Sequence, residues 1–171
     1  LVANLGNLVN RTMKFLNSFY GGVIPTGSIG KIERAFFKEV NGKTKEAINL
    51  LDEVKIKDSL RGIMNVSKLG NQYFQKSEPW KNFKLNRKKA DTSIFVLANF
   101  IKDLAILIKP FMPETSELIE KQLNIKTNGL DDLGKRSILP GHKVGMARVL
   151  FERLNNDKVE QFREKFGGKK K

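Results

Sequence analysis

A long apolar segment in the middle of the chain restricts the possible folds more than any other feature of the sequence. Between residues 94 and 108, apolar side chains occupy most faces of a helix. A helix that is apolar all round has to be covered by other elements, so it belongs at the centre of a bundle. Pro110 and Pro113 end it, because proline cannot continue a helix. The chain of 171 residues is long enough to bury such a helix within one ordinary domain.

Apolar residues at helical spacing predict four further main helices around the central one. They cover residues 1–20, residues 28–54, residue 56 to a point before Pro79, and residues 114–123. Ser28 is the expected N-terminal cap of the second helix, and Asn41 with Gly42 is expected to bend or interrupt it. The central helix is expected to begin at Asp91 or Thr92.

The rest of the chain lacks a helical period until its last residues. Glycine and proline are frequent over residues 124–150, which indicates an irregular segment, with short strands expected near residues 143–149. A last amphipathic helix is expected over residues 157–166. The predicted fold class is all-α: a helix bundle of about five main helices with an irregular C-terminal excursion and a final short helix. The expected division is a bundle over 1–124, the irregular segment with the last helix over 125–166, and a basic tail over 167–171.

The charge of the chain points to an anionic partner. Thirty-two Lys and Arg residues against eighteen Asp and Glu residues give a formal net charge of +14. Such an excess is typical of a protein that meets a polyanion, either nucleic acid or anionic lipid. A basic protein whose charge serves only its solubility remains an alternative at this point.

Several classes of function are excluded by residues that the sequence lacks. There is no cysteine, so disulfides, thiolate metal sites and cysteine nucleophiles cannot form. The single histidine, His142, cannot build a histidine-rich site, and Asp131 with Asp132 supplies too few ligands for a metal. The glycine-bearing residues 21–30 lack the lysine and hydroxyl of a phosphate-binding loop. With no nucleophile and base in sight, the chain alone does not resemble a catalyst, and no metal is expected.

The sequence also predicts where the protein is found. No apolar run reaches the length needed to span a bilayer, and no signal peptide pattern precedes the first helix. A soluble, intracellular protein without a membrane partner is therefore expected. Because the chain begins at Leu1 instead of a methionine, it is expected to be a fragment or a processed or engineered piece.

One face of the first helix carries side chains that suit base recognition. Asn4, Asn7, Arg11 and Lys14 follow the three- and four-residue spacing that places them together, away from the leucines. A carboxamide offers a donor and an acceptor, and a guanidinium offers a rigid fork, so the pair can read the edge of a base. A solvated polar face is the alternative, and for Asn4, Asn10 and Lys14 the sequence does not decide between RNA and water.

The only tryptophan, Trp80, follows Pro79 and stands among cations in the segment SEPWKNFKLNRKK, residues 77–89. An indole after a helix end is often part of a core, but these flanks suit a rim, where single-stranded bases stack on aromatic rings. Phe74, Tyr73 and Phe83 are expected to pack beneath such a platform. The candidate contacts to the RNA backbone are Lys14, Lys81, Lys84, Arg87, Lys88 and Lys89.

Four separated segments share their order with a known family. ANLGNLVNR at 3–11, GNQYFQKSEPWK at 70–81, LIKPFMPETSELIEKQL at 107–123 and LPGHKVGMARVLFERLNNDKVEQFREKFGG at 139–168 resemble the anticodon-binding domain of methionyl-tRNA synthetase. The likeness is greatest to the eukaryotic cytosolic type and covers nearly the whole chain. The asparagine and arginine pair followed by the proline and tryptophan pair is specific. The segment PFMP is less so, since related class I synthetases carry similar bundles.

The resemblance implies a helix bundle that follows a catalytic Rossmann domain and reads the CAU anticodon of methionine tRNA. The family's anticodon-contacting asparagine and arginine fall on Asn7 and Arg11. Its tryptophan, on which the first anticodon base stacks, falls on Trp80, and Pro79 shapes the approach. The parent enzyme would be an ATP-dependent methionine–tRNA ligase, cytoplasmic, with its ATP, methionine and zinc sites outside this chain. No cofactor is expected in the chain itself.

The implied partners are methionine tRNA, the catalytic domain of the parent synthetase and a multi-synthetase assembly. In the family the C-terminal stretch returns toward the catalytic domain, so Val149, Leu150 and Phe151 are expected to be exposed in the isolated piece. Three alternatives stay open on the sequence: the bundle of a related class I synthetase, a basic helical DNA-binding protein, and an interaction module whose charge serves proteins instead of RNA.

Overall fold

The computed structural model describes residues 2–151 and 156–167 as a helical protein. A short π-helical segment, Val2–Gly6, precedes the first α-helix, and a 3-10 turn, Gly129–Asp132, follows the sixth. The α-helices of the described part are α1 (Asn7–Tyr20), α2 (Lys31–Asp52), α3 (Ile56–Ser77), α4 (Pro79–Leu85), α5 (Arg87–Ile108), α6 (Pro113–Leu123) and α7 (Asn156–Phe166). The all-α bundle with about five main helices is confirmed, and the short helix α4 is an addition.

The central position of the apolar helix is also confirmed. Every residue of α5 from Thr92 to its end at Ile108 is buried, and the helix packs against α1, α3, α4 and α6. It begins at Arg87, earlier than predicted, because the side chain of Asn86 accepts a hydrogen bond from the backbone N–H of Lys89 at 3.2 Å. The first turn is polar and exposed, so the apolar pattern reports only the later, buried part.

Helices α2 and α3 form an antiparallel pair. The hydroxyl of Ser59, near the start of α3, donates to the carbonyl of Ala47 in the last part of α2 at 2.8 Å. At the opposite end, the hydroxyl of Tyr73 donates to Glu33 in the first turn of α2 at 3.2 Å. The N-terminus of α2 therefore lies beside the C-terminus of α3.

Two expectations about α2 are wrong. Its N-terminal cap is Gly30, whose N–H donates to the side chain of Glu33 at 2.9 Å, while Ser28 instead donates its own N–H to Thr92. The helix also runs unbroken through Asn41 and Gly42 to Asp52. Both residues are exposed on its outer side, so their weak helical preference is outweighed by the packing of the inner face.

The irregular segment after α6 packs on the bundle. No strand forms in the parts described, 2–151 and 156–167; an isolated bridge joins Val23 to Lys143, so the strands expected near 143–149 are wrong. The side chain of Asn17 in α1 holds this segment instead. It donates to the carbonyl of Gly145 at 3.1 Å and accepts from the N–H of Ala147 at 2.8 Å, so it takes two of the backbone groups that a strand would use.

The end of the segment is less exposed than expected. Leu150 is buried in the main core together with Ile138 and Val144, and Phe151 packs partly against it, whereas Val149 is 60% exposed. Of the predicted tail, residues 168–171 lie outside the described part of the chain. None of the described helices is both long enough and apolar enough to cross a membrane.

Candidate nucleic-acid interface

The turn between α3 and α4 fixes the position of Trp80. Glu78 ends α3 in the left-handed conformation with φ of 43°, and Pro79 is buried at the first position of α4. The side chain of Asn82 donates to the carbonyl of Ser77 at 2.7 Å and so satisfies one of the last carbonyls of α3, which have no partner within the helix. Trp80 consequently stands in the first turn of α4, half-buried at one end of the bundle.

Trp80 belongs to a group of three side chains in mutual contact, Arg11, Phe74 and Trp80, which we call the stack. Its ring stacks on that of Phe74, with centroids 5.7 Å apart and planes 24° from parallel. The guanidinium of Arg11 lies over both rings, with Cζ 4.3 Å from the centroid of Phe74 and 5.7 Å from that of Trp80. Two residues predicted from distant segments are thus brought together. A cation on aromatic faces is held in a defined orientation while its remaining donors stay available.

Only one of the three rings expected beneath Trp80 is there. Tyr73 points to the other side of α3, where its ring lies 4.5 Å from that of Phe36. Phe83 joins the rings of Phe15, Phe19 and Tyr20 in a separate aromatic cluster. Adjacent helical residues point in directions about 100° apart, so Tyr73 and Phe74 cannot both face the indole.

A chain of carboxamides orients Asn7, and the sequence did not predict the part played by its central member, Asn71. The amide nitrogen of Asn71 donates to three acceptors: the backbone carbonyl of Asn4, the side-chain oxygen of Asn4 and the carbonyl of Ser67, at 3.1, 3.1 and 3.3 Å. Its oxygen accepts from the amide nitrogen of Asn7 at 3.2 Å. The oxygen of Asn7 and the second N–H of its amide are therefore left for other partners.

The other polar residues of the first helix face have different surroundings. Asn4 donates to the carbonyl of Met64 at 2.8 Å and so has a structural partner. Asn10 is half-buried, and its side-chain oxygen is buried without a hydrogen-bond partner. Lys14 is exposed. Asn71 lies in the segment GNQYFQKSEPWK, which forms part of α3. Its place beside the first helix depends on how α3 packs, and residue spacing alone does not predict that packing.

The cations around the stack fall into two groups. Lys81 pairs with Glu78 at 2.6 Å, and Arg87 pairs with Asp91 at 2.8 Å. Arg87 also lies over the rings of Phe83 and Tyr20, 4.0 and 4.7 Å from their centroids, so it has structural contacts. The remaining candidates are exposed and carry none of these contacts: Lys14, Lys84, Lys88 and Lys89.

Tyr20 supports this end of the bundle as a neutral phenol. Burial raises the pKa of Tyr20 well above its ordinary value, and the hydrogen bond that its hydroxyl donates to Asp91 at 2.8 Å raises the pKa further. Asp91 therefore accepts from Tyr20 and from Arg87 together. These contacts tie the start of α5 to the end of α1, beside the aromatic cluster.

The described residues show no cluster suited to a metal. No group of three or more His, Cys, Asp or Glu side chains lies together in residues 2–151 and 156–167. His142 has a structural contact, since its Nε2 donates to the carbonyl of Leu123 at 2.8 Å. The chemistry that this surface offers is hydrogen bonding, stacking and positive charge.

Solved structures share this architecture. The apo methionyl-tRNA synthetase of Mycobacterium tuberculosis matches 91% of the chain with a TM-score of 0.83 at 23% identity, and the match covers 32% of that protein. The same enzyme in complex with methionyl-adenylate matches with a TM-score of 0.82 at 24% identity, over 90% of this chain and 31% of that one. The chain therefore has the same fold as about a third of each of these solved structures.

Sequence comparisons define the family. The model of the anticodon binding domain of methionyl tRNA ligase matches residues 23–171, and the chain belongs to this family. It is 36% identical to the cytoplasmic methionine–tRNA ligase of Mus musculus, over 98% of the chain and 19% of that protein. It is 33% identical to the methionine–tRNA ligase of Pyrococcus abyssi, over 95% of the chain and 22% of that protein. The chain thus spans about a fifth of the length of these relatives.

Proposed function

We propose that this chain binds the CAU anticodon of methionine tRNA for a methionine–tRNA ligase of which it is a part. The observation that carries the proposal is the stack of Arg11, Phe74 and Trp80. An indole supported from below by a second ring and fixed beside a guanidinium offers a base both a stacking face and donors for its edge. The family match supports the RNA as the ligand of this surface.

Affinity and selectivity have separate sources in this surface. The exposed cations contact phosphates and supply an affinity that falls with salt. Trp80 supplies stacking for the first anticodon base, and Pro79 holds the backbone that presents the indole. Arg11 donates to base edges, and the free oxygen of Asn7 accepts from an exocyclic amino group, such as those of cytosine and adenine. Lys81 and Arg87 contribute less of this affinity, because Glu78 and Asp91 pair with them.

The remaining four fifths of the protein perform the reaction in this proposal. An ATP-dependent methionine–tRNA ligase domain binds ATP and methionine, and this chain carries no cofactor. The catalytic domain is the partner of the irregular segment and of α7, where Phe162 and Phe166 are 49% and 70% exposed. A cytoplasmic location follows the cytoplasmic relatives, and a multi-synthetase assembly is a further partner.

The test of this function is the affinity of Trp80→Ala for a CAU anticodon stem-loop. Loss of stacking is expected to weaken binding by about 1–3 kcal/mol. Phe166→Ala, which removes another exposed ring far along the chain, is the matched control and should bind as the unmodified chain does. Equal affinity of the Trp80→Ala variant and the control would remove Trp80 from the site.

A further inference from the structure

A second basic surface lies on the outer side of α2, and we call it the α2 groove. It is an open groove of about 470 Å³ between the middle of α2 and the loop that follows the 3-10 turn. Its lining includes four cationic residues and no acidic residue: Arg34, Lys38 and Lys45 from α2, and Arg136 from the loop. Nothing in the proposed anticodon site uses these side chains.

The cations of the α2 groove are not neutralised by neighbours. No ion pair between described residues involves Arg34, Lys38, Lys45 or Arg136. Arg34 donates to the backbone carbonyl of Ile29 at 3.0 Å, which fixes its position and leaves its charge intact. A cluster of like charges in one groove is unfavourable by itself, so it indicates a surface that meets an anion.

Glu33 in α2 and Asp132 on the loop side are acids of the two elements that line the groove, and both are already engaged. Glu33 accepts from the N–H of Gly30 and from the hydroxyl of Tyr73. Asp132 accepts from the N–H of Asn128 at 2.8 Å, and this hydrogen bond, with the charge of Lys135, lowers the pKa of its carboxyl. Neither carboxylate is directed at the groove cations.

A buried lysine holds the loop side of the groove in place. The ammonium of Lys102 is 1% exposed and donates to the carbonyls of Asp132 and Lys135 at 2.5 and 2.7 Å. It also pairs with Asp103 at 2.8 Å, and Asp103 accepts from the N–H of Gly134 at 3.0 Å. Because a buried charge is retained only when it is fully paired, these contacts anchor the loop firmly.

This anchored loop places Arg136 opposite α2. Its guanidinium lies over the ring of Phe37, with Cζ 5.8 Å from the centroid. Arg34, Lys38 and Lys45 follow helical spacing along one face, with about 6 Å of rise between the first two and about 16 Å over all three. The result is a row of cations along one wall and a fixed guanidinium on the other, which suits an extended chain of phosphates.

The groove and the anticodon site lie on two sides of the same helix end. Tyr73 contacts the start of α2 through Glu33, while the next residue, Phe74, supports Trp80. We propose that the α2 groove binds the phosphodiester backbone of the RNA whose anticodon reaches Trp80. This proposal rests on the proposed function, since it takes the same tRNA as the ligand.

The experiment compares two triple variants of this chain that lose the same charge. Lys38→Gln/Lys45→Gln/Arg136→Gln removes the groove cations, and Lys57→Gln/Lys109→Gln/Lys126→Gln removes three exposed cations elsewhere. Affinity for a CAU anticodon stem-loop is measured over a range of salt. The groove variant should bind at least about tenfold more weakly, with a slope of log K against log salt reduced by about 2. The control variant should change the slope by less than about 1.

The outcomes separate the groove from the anticodon site. A change of the anticodon should cost the groove variant the same factor as the unmodified chain, because base readout stays intact. If the unmodified chain shows no preference for CAU, the proposed function is contradicted, while the comparison of the two salt slopes still tests the groove. Equal slopes of log K against log salt for the two triple variants would overturn the proposal that the groove binds RNA. Binding of polyglutamate by the groove variant is measured as well. If this variant keeps the salt slope of RNA binding and loses binding to polyglutamate, the groove binds an acidic polypeptide and the proposal is overturned.

A second variant guards against a folding defect in the loop. Lys38→Glu/Lys45→Glu leaves Arg136 and the Lys102 anchor intact and changes only exposed positions of α2. It should weaken RNA binding more than the glutamine variant does, with an unchanged helical circular dichroism spectrum. Full RNA affinity in this folded variant would contradict the proposal.

Discussion

The guanidinium of Arg11 lies 4.3 Å above the centre of the Phe74 ring, on the same stack as Trp80. This relationship joins the first helix of the bundle to the turn that carries the indole. It gives Arg11 a fixed position beside Trp80, and under the proposed function its free donors serve a base that stacks on the indole.

Arg11→Ala is therefore expected to lose discrimination of about 1–3 kcal/mol. Arg11→Lys keeps the charge but lacks the planar fork, so it should retain salt-dependent affinity and lose most of the preference for CAU. The measurement is a competition between a CAU stem-loop and one with an altered anticodon. Equal losses on both RNAs after Arg11→Ala would reject base readout by this residue.

Asn71 is expected to act as a positioning residue for Asn7. Asn71→Ala removes three donated hydrogen bonds and leaves partly buried amides without partners, at a cost in stability of about 1–3 kcal/mol. The preference for CAU should fall as well, because the amide of Asn7 can then rotate. Gln72→Ala, at the exposed neighbouring position, is the control and should change stability by less than about 0.5 kcal/mol. An undiminished preference in a folded Asn71→Ala variant would limit Asn71 to a packing role.

Gly70 should be intolerant of any side chain. A Cβ there would lie 2.2 Å from Cε1 of Phe100 and 2.7 Å from Cδ2 of Leu8, at the contact of α3 with α5 and α1. Gly70→Ala is expected to destabilise the fold by about 1–3 kcal/mol. At Gly42 nothing lies within 4 Å of the same atom, so Gly42→Ala should stabilise α2 by about 0.5–1 kcal/mol. Thermal unfolding of the two variants measures both signs, and a stable Gly70→Ala variant would contradict the packing.

The raised pKa values of the two tyrosines predict that the free energy of unfolding decreases at alkaline pH. Burial raises the pKa of both Tyr20 and Tyr73, with further raising by Asp91 and Glu33 respectively. A raised pKa means that the folded state holds the phenolic proton more tightly than the unfolded state does. Stability is therefore kept below about pH 10 and lost as the pH rises above it.

Tyrosinate absorbance and helical circular dichroism, measured together against pH, test this. Because the chain has only these two tyrosines, ionisation should coincide with unfolding. Tyr20→Phe should halve the absorbance change. Ionisation of both near pH 10 with the helices intact would contradict the burial of the phenols.

The sequence predicted the helices that bury an apolar face and missed features set by single polar contacts. The apolar pattern located α5, but the cap of Asn86 at its start and of Gly30 at the start of α2 depended on local hydrogen bonds. In place of the strands expected near 143–149, backbone groups of this segment bond to the side chains of Asn17 and Gln122, which lie far away in the sequence.

The candidate site shows the same division. Arg11 and Trp80 were identified from motifs, and the structure brings them together. Their geometry depends on how α1 packs against α3, so neither the support by Phe74 alone nor the role of Asn71 followed from spacing. Tyr73 and Phe83 were assigned to the stack on proximity in sequence, and the helical rotation of each residue placed them elsewhere.

The most direct test of the central claim is a fluorescence titration of Trp80 at low salt, since it is the only tryptophan. The ligands are an anticodon stem-loop with CAU and a matched loop in which only the C is changed. Stacking of the base on the indole predicts strong quenching with the CAU loop and weaker binding and quenching with the altered one. Equal, salt-sensitive binding of both loops without quenching would contradict stacking of the first anticodon base on Trp80.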